Sequence, residues 1–460
     1  MIEKKEMKEI SSSTKKKSFI IISISYILVF HYLNVKNSLI PQCDEPYHLN
    51  QTIYYRNNLF LAHTKSLTTF PGTFFLTQIY QRIINRGYIN IKDKVLRKKY
   101  IDNLNYNEYL IFLFDGRIMA IFFSLLTLFI LTYFKIKSIY FIFTIAFLPI
   151  RFIYCFLIYT ENTSLLFLVI FYFFSNYKKT NQINLFIISL FMILMRQTNI
   201  IWINYLPLIE VFQLIYCINF DIKNQINKVL NIIKKFIYVL ILDLIMIIFY
   251  FLNGKSFVLG CKKFHPLRFH SAQIIHFCFY FIVHFPFFNL KIFEMLTKIK
   301  NRKKIIKWIL FSSIIYIIFI LSLFNNYKGC DSLRIEKHYN DYYYLIFFCN
   351  ERNKNILLIY LSIIMGAIIS DDFNLFFNSK IFSWFICSCL SSMCEVYVEV
   401  RYFLPCYILL MLIINDYNNE NKGENFGYYF FNNPINIIFG ISLDYILINN
   451  MIKSPNYKVY

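Results

Sequence analysis

This sequence predicts an all-α polytopic membrane protein with roughly 11 to 14 transmembrane helices, a span needing about 20 apolar residues. Three observations carry that expectation. Hydrophobic residues make up 57% of the 460 positions and aromatic ones 20%, against 16% charged, more apolar surface than a soluble fold can hide. The apolar residues come in long blocks without the two-residue alternation of barrel strands, and in lipid a helix satisfies its own backbone hydrogen bonds. The positive charge, 48 Lys and Arg against 26 Asp and Glu for a net +22, sits between those blocks rather than in one patch, which argues against a nucleic-acid binder.

Residues 1–17 form a basic segment ending in Lys15, Lys16 and Lys17 and are expected in the cytosol, while 18–460 reads as one polytopic membrane domain. The first apolar block, 18–33, has no small-residue cleavage site at 34–40 after it, so it is read as an uncleaved anchor rather than a signal peptide. Further blocks run at 109–134, 138–159, 164–177, 183–195, 200–218, 236–252, 274–290, 305–324, 342–349, 356–369, 376–394, 402–414 and 435–449. Several are short or closely joined, which is why the span count is a range. Lys135 and Lys137, Lys178 and Lys179, and the lysines of 223–235 and 298–304 fall in every second short loop, as cytosolic loops require. Loops 34–107, 160–163, 196–199, 253–273 and 325–341 then face the opposite compartment. Cys43, Cys261 and Cys330 lie in those loops, where two of them can pair, but the 11 cysteines have no metal-site spacing. No Walker or GxGxxG pattern occurs, so neither an ATP-driven pump nor a nucleotide-cofactor enzyme is expected.

Membrane crossing does not account for the polar groups in the non-cytosolic loops. Just after the first block the chain reads Pro41-Gln42-Cys43-Asp44-Glu45-Pro46-Tyr47-His48. A carboxylate at a low-dielectric boundary, with a like charge beside it, is suited to take a proton from a hydroxyl; the alternative is an acidic cluster solvated by headgroups. Thr68-Thr69-Phe70-Pro71-Gly72 follows, a turn with backbone donors or a simple loop. Loop 253–273 holds Asn253, Gly254, Gly260, Cys261, Lys262, Lys263, His265, Arg268, His270 and Gln273. Its cations and imidazoles suit a phosphate or diphosphate, or else anionic lipid; His265 and His270 are not at the i, i+4 spacing of helical metal ligands. Arg196-Gln197-Thr198-Asn199-Ile200-Ile201-Trp202 puts a cation and two amides in an apolar stretch, where function is the default reading and snorkelling of Arg196 the alternative. Glu399-Val400-Arg401-Tyr402-Phe403 is either a second such site or an ion pair, and Lys337-His338-Tyr339 adds a further polar cluster.

Together these motifs resemble the endoplasmic-reticulum α-1,2-glucosyltransferases that add the terminal glucose to the lipid-linked oligosaccharide, over residues 42–407. That family's Asp-Glu-x-x-His, then Gln, then Thr-Thr-x-Pro-Gly is met by Asp44, Glu45, His48, Gln51, Thr68, Thr69, Pro71 and Gly72. Its Arg-Gln-Thr-Asn-Ile-x-Trp, the most specific element, is met by Arg196 through Trp202. Its Asn-Gly and two-His loop is met by Asn253, Gly254, Gly260, Lys262, His265, His270 and Gln273, and its Glu-x-Arg-Tyr-Phe by Glu399, Arg401, Tyr402 and Phe403. The sequence departs at Cys261, where the family usually has Asp, and at Glu161, which replaces Asp and keeps the charge. Lys337, His338 and Tyr339 are what survives of Asp-Asn-Arg-His-Tyr.

The resemblance implies a GT-C-like fold with a long first lumenal loop at 34–107, in the endoplasmic-reticulum membrane, with the N-terminus cytosolic. It implies inverting, metal-independent transfer of glucose from dolichyl-phosphate glucose to the diglucosylated lipid-linked oligosaccharide, with no cofactor. Asp44 is the implied base and Glu45 its alternative. Lys262, His265, Arg268, His270 and Arg401 are the implied phosphate-binding groups. His48, Gln51, Thr68, Thr69, Glu161, Arg196, Gln197, Asn199, His338 and Glu399 are expected to support the substrate site. The partners implied are dolichyl-phosphate glucose, the dolichyl-diphosphate-linked oligosaccharide and the bilayer, not nucleic acid. Two alternatives stand beside it. One is a sibling enzyme using another dolichyl-phosphate sugar; the other is a multispanning transporter, for which the internal repetition and Gly- or Pro-broken helices are missing.

Overall fold

A computed structural model describes residues 12–36, 45–59, 69–84, 91–102, 104, 106–134, 138–175, 181–216, 222–259, 273–285, 302–324, 351–371, 378–393, 403–421 and 433–453. Among the described residues every regular element is a helix. In chain order they are α1 Ser12–Lys36, α2 Glu45–Arg56, α3 Gly72–Ile83, α4 Lys94–Asp102, α5 Tyr106–Phe134, α6 Ile139–Ala146, α7 Pro149–Tyr154, α8 Thr160–Ser175, α9 Gln182–Met195 and α10 Asn199–Ile203. Then follow α11 Tyr205–Tyr216, α12 Ile222–Lys235, α13 Ile237–Leu252, α14 Gln273–His284, α15 Arg302–Phe324, α16 Glu351–Asp371, α17 Ser379–Met393, α18 Leu404–Asn421 and α19 Pro434–Lys453.

By length and composition, Ser12–Asn34 and Tyr109–Tyr133 are each apolar enough to cross a bilayer, and eight shorter apolar helices of 10–17 residues accompany them. The chain is thus an all-helical protein whose apolar helices suit a membrane.

Three boundaries differ from the sequence expectation, each for a local reason. Block 138–159 is two helices and a bend. The Ser138 side chain accepts from the Phe141 amide to start α6, and Pro149 bars Leu148 from helical backbone and opens α7. Residues 160–163 are not a loop but the first turn of α8, all four buried, with Glu161 at the positive end of the helix dipole. The lysine-rich stretch 223–235 is helix α12, with Ile226, Val229, Leu230 and Ile233 exposed along one face, and it meets apolar α13 at a 67° bend. An exposed apolar stripe opposite lysines is the pattern of a helix lying in the membrane interface.

In a bilayer the lipid is as apolar as leucine, so helices are held by packing and by polar contacts between them. Both are present. Phe277 of α14 meets Trp384 of α17 and Phe403 and Tyr407 at the start of α18, with ring centroids 5.6–6.1 Å apart. The Trp384 indole donates to the Cys406 carbonyl at 2.7 Å, and Trp308 of α15 to Ile363 of α16 at 3.0 Å. Arg151 of α7, 1% exposed, is hydrogen-bonded to neutral groups of two other helices. It donates to the Tyr26 hydroxyl of α1 and the Ser124 carbonyl of α5, both at 2.8 Å, and Tyr26 donates to the Ala146 carbonyl at 2.6 Å.

Helix α19 lies against α6, α7 and α1. It comes so close that a Cβ on Gly440 would stand 2.4 Å from the Phe147 carbonyl oxygen, at the break between α6 and α7. The Asn162-Thr-Ser sequon lies inside the fold. Asn162 is 2% exposed, donates to the Tyr154 carbonyl at 2.8 Å and accepts from Ser124 at 3.0 Å, so its amide is committed to packing rather than to a glycan.

Candidate active site

Glu45 opens α2, and its carboxylate is fully buried. Arg117 of α5 grips it in a two-point fork, Nε to Oε1 at 3.0 Å and Nη2 to Oε2 at 2.6 Å, and the Ile158 amide donates to Oε1 at 3.0 Å. The last bond matters for the architecture. Residues 155–159 bend between α7 and α8, leaving amides without helical partners, and Glu45 satisfies one of them. Glu45 is thereby fastened to the bend that leads into Tyr159-Thr160-Glu161.

One turn along α2, the His48 ring stacks on Phe74 of α3 at 5.4 Å and meets Tyr159 edge-on at 5.3 Å. Gln51, fully buried, bonds the Tyr55 side chain on the same helix. Among the described residues, the Thr69 hydroxyl is enclosed and has no hydrogen-bond partner. Pro71 and Gly72 then start α3 directly against the end of α9, where a Cβ on Gly72 would stand 2.6 Å from the Leu194 carbonyl oxygen. Thr73 reaches the Thr163 hydroxyl of α8 at 2.5 Å and the Met195 sulfur of α9 at 3.8 Å. Because the obstacle at Gly72 is backbone, Gly72→Ala is expected to destabilise the protein by about 1–3 kcal/mol, the usual range for overpacking. Thermal unfolding of the purified protein in detergent checks this, and an unchanged midpoint would contradict it.

Arg196 ends α9 in extended backbone and forms a buried ion pair with Glu161 of α8, Nη1 to Oε1 at 2.9 Å. Asn199 opens α10 and ties three elements, donating to the Met192 carbonyl at 2.7 Å and exchanging hydrogen bonds with Ser164 of α8. Gln197 and Trp202 are buried beside them.

Motifs far apart in the chain therefore meet in one cluster: Glu45 and His48 join segment 158–161, Glu161 pairs with Arg196, and Gly72 and Thr73 seat on the end of α9 just before Arg196. Its geometry offers two braced carboxylate–guanidinium pairs. In the basic loop, Asn253 is the C-cap of α13, and its amide donates to the Ser256 and Val258 carbonyls, both at 2.8 Å, closing a turn. Asp44, Thr68, Lys262, His265, Arg268, His270, His338, Glu399 and Arg401, with the three loop cysteines, lie outside the described residues.

Sequence reasoning passed over Arg117 and Asp115, both buried in α5. The signal was there: two ionisable residues two positions apart in the apolar block 109–134, where such groups are costly.

Residues 39–412, well over half of the chain, match the model of the DIE2/ALG10 family. The chain belongs to the DIE2/ALG10 family. The DIE2/ALG10 family is one of dolichol-linked glycosyltransferases of the endoplasmic reticulum, acting in N-glycosylation on lipid-linked oligosaccharide in a membrane setting. The helices accordingly fit a multi-pass membrane protein. All of the clustered motifs fall within the segment matching the DIE2/ALG10 family, whereas α1 and α19 fall outside it. No curated protein and no solved structure matches the chain.

Proposed function

We propose that this protein transfers glucose from dolichyl-phosphate glucose to the diglucosylated dolichyl-diphosphate oligosaccharide in α-1,2 linkage, the last step in assembling the N-glycan precursor. The fold proposed is GT-C-like, with roughly 11 to 14 spans of about 20 residues, a cytosolic N-terminus and a lumenal site. The observation that carries this reading is that Glu45 and His48 meet segment 158–161, which in turn pairs with Arg196, so that separate motifs of one resemblance converge in a DIE2/ALG10 chain. Donor and acceptor are both lipid-anchored, and a polar site set among apolar helices is where two such substrates can meet.

The chemistry is a single displacement. The acceptor 2-hydroxyl oxygen attacks C1 of the donor glucose, the bond from C1 to the phosphate oxygen breaks, and its electron pair leaves with dolichyl phosphate. The hydroxyl proton passes to Asp44, and inversion turns a β-linked donor into an α-linked product. Glu45 is the poorer base. Both its oxygens already accept from Arg117 or Ile158, and a proton there would strand a buried guanidinium. Lys262, His265, Arg268, His270 and Arg401 are assigned to the charge that gathers on the departing phosphate. Arg196 and Asn199 hold α8, α9 and α10 around the site.

Expression in a mutant lacking the terminal glucose step is expected to add one hexose to the accumulated lipid-linked oligosaccharide, read by mass. A precursor left unextended despite full-length protein in the membrane would refute the proposal. Extension by a different sugar would favour a sibling enzyme.

A further inference from the structure

The fork that Arg117 makes with Glu45 crosses from the lumenal segment to α5, and nothing in the proposed reaction uses it. Both side chains are buried, with relative exposures of 6% and 0%. Burying an ion pair only to gain stability is poor economy, since apolar groups of the same shape often do as well or better. What a two-point guanidinium–carboxylate fork does supply is fixed orientation, because it defines both distance and plane. Here it fixes the residue bonded directly to Asp44.

The neighbours extend the same restraint. The Ile158 amide holds the second lone pair of Oε1, Ile158 packs its side chain against Gly116, and Tyr159 braces His48 one turn along α2. Arg117 thus ties α5, the start of α2 and the bend before α8 at one point, a span of 72 residues between Glu45 and Arg117 and 113 between Glu45 and Ile158.

We infer that Arg117 is a positioning residue for glucosyl transfer: it acts through Glu45, fixing the start of α2 that directly follows Asp44, the proposed base, in the chain. The inference rests on the transfer reaction proposed above. A misplacement of about 1 Å at a reacting group can cost on the order of 10²-fold in rate, so the effect belongs in kcat rather than in substrate binding.

The test uses the full-length enzyme in detergent or nanodiscs, with dolichyl-phosphate glucose and diglucosylated lipid-linked oligosaccharide as substrates. Arg117→Lys keeps the charge and loses the fork. It is expected to lower kcat about 10- to 100-fold while KM for both substrates stays within about twofold. Glu45→Gln should fall in the same range, and the Glu45→Gln/Arg117→Met double variant should lose no more than the worse of its two single variants, since both remove one interaction. A purely structural role predicts something else: less folded protein and a lower unfolding midpoint, with kcat per folded molecule unchanged. That result in Arg117→Lys, or strictly additive losses in the double variant, overturns the inference. Wild-type enzyme inert with this donor defeats the proposed function first, and so is told apart from a failure of positioning alone.

Discussion

Asp44→Asn is expected to lower kcat for glucosyl transfer by about 10²- to 10⁴-fold, the loss that follows removal of a positioned general base. The amide keeps the size of the side chain and cannot take the acceptor proton, so KM for either substrate should change little. The measurement is steady-state transfer to diglucosylated lipid-linked oligosaccharide by purified enzyme at saturating donor. Wild-type turnover in Asp44→Asn would remove Asp44 from the chemistry. A loss in Glu45→Gln as deep as that in Asp44→Asn would mean that the two carboxylates cannot be assigned separate roles, one reacting and one held by Arg117.

The second large effect concerns the other buried pair. Arg196→Met leaves the Glu161 carboxylate, only 4% exposed, without its cation, and a stranded buried charge costs about 3–5 kcal/mol. Glu161→Leu should cost a similar amount. The double variant Glu161→Leu/Arg196→Met should regain most of that stability, because two apolar side chains can fill the space that the pair occupied. Chemical or thermal unfolding in detergent reads the stability, and transfer activity reads the role. Activity that returns with stability marks the pair as a brace between α8 and α9. Activity that stays low in a stable double variant marks Arg196 as touching substrate.

Part of the buried polar cluster was legible in the sequence because its residues are of the wrong kind for where they sit. Glu45, His48 and Arg196 interrupt apolar surroundings, and the motifs that hold them carry the family resemblance. Their partners were not legible. Glu45 could be noticed from its neighbours, but nothing near it points to Arg117, which sits inside a block otherwise fit to cross the membrane. The same holds for Glu161 and Arg196, 35 residues apart, which read as separate motifs and form one ion pair.

Helix boundaries failed for another reason: hydropathy reports where apolar residues are, not where the backbone turns. The 138–159 block reads as one span, yet Pro149 divides it, and the polar residues 160–163 read as a loop although they begin α8. The amphipathic character of α12 is masked in the sequence by its lysines, which satisfy the charge rule for a cytosolic loop even though Ile226, Val229, Leu230 and Ile233 recur at helical spacing.

The seat of Gly440 on the Phe147 carbonyl bears on how the protein is made. Where α6 stops and α7 begins, the backbone is interrupted, and an interruption of that kind persists within a membrane only when other protein covers it. Part of the cover is α19, which is translated after α1 to α18. Until α19 is made, the joint has Tyr26 of α1 on the Ala146 carbonyl but lacks the helix that covers the Phe147 carbonyl. A chain that stalls short of residue 434 would carry Glu45, Glu161 and Arg196 and still lack the helix that seats Gly440 on this joint.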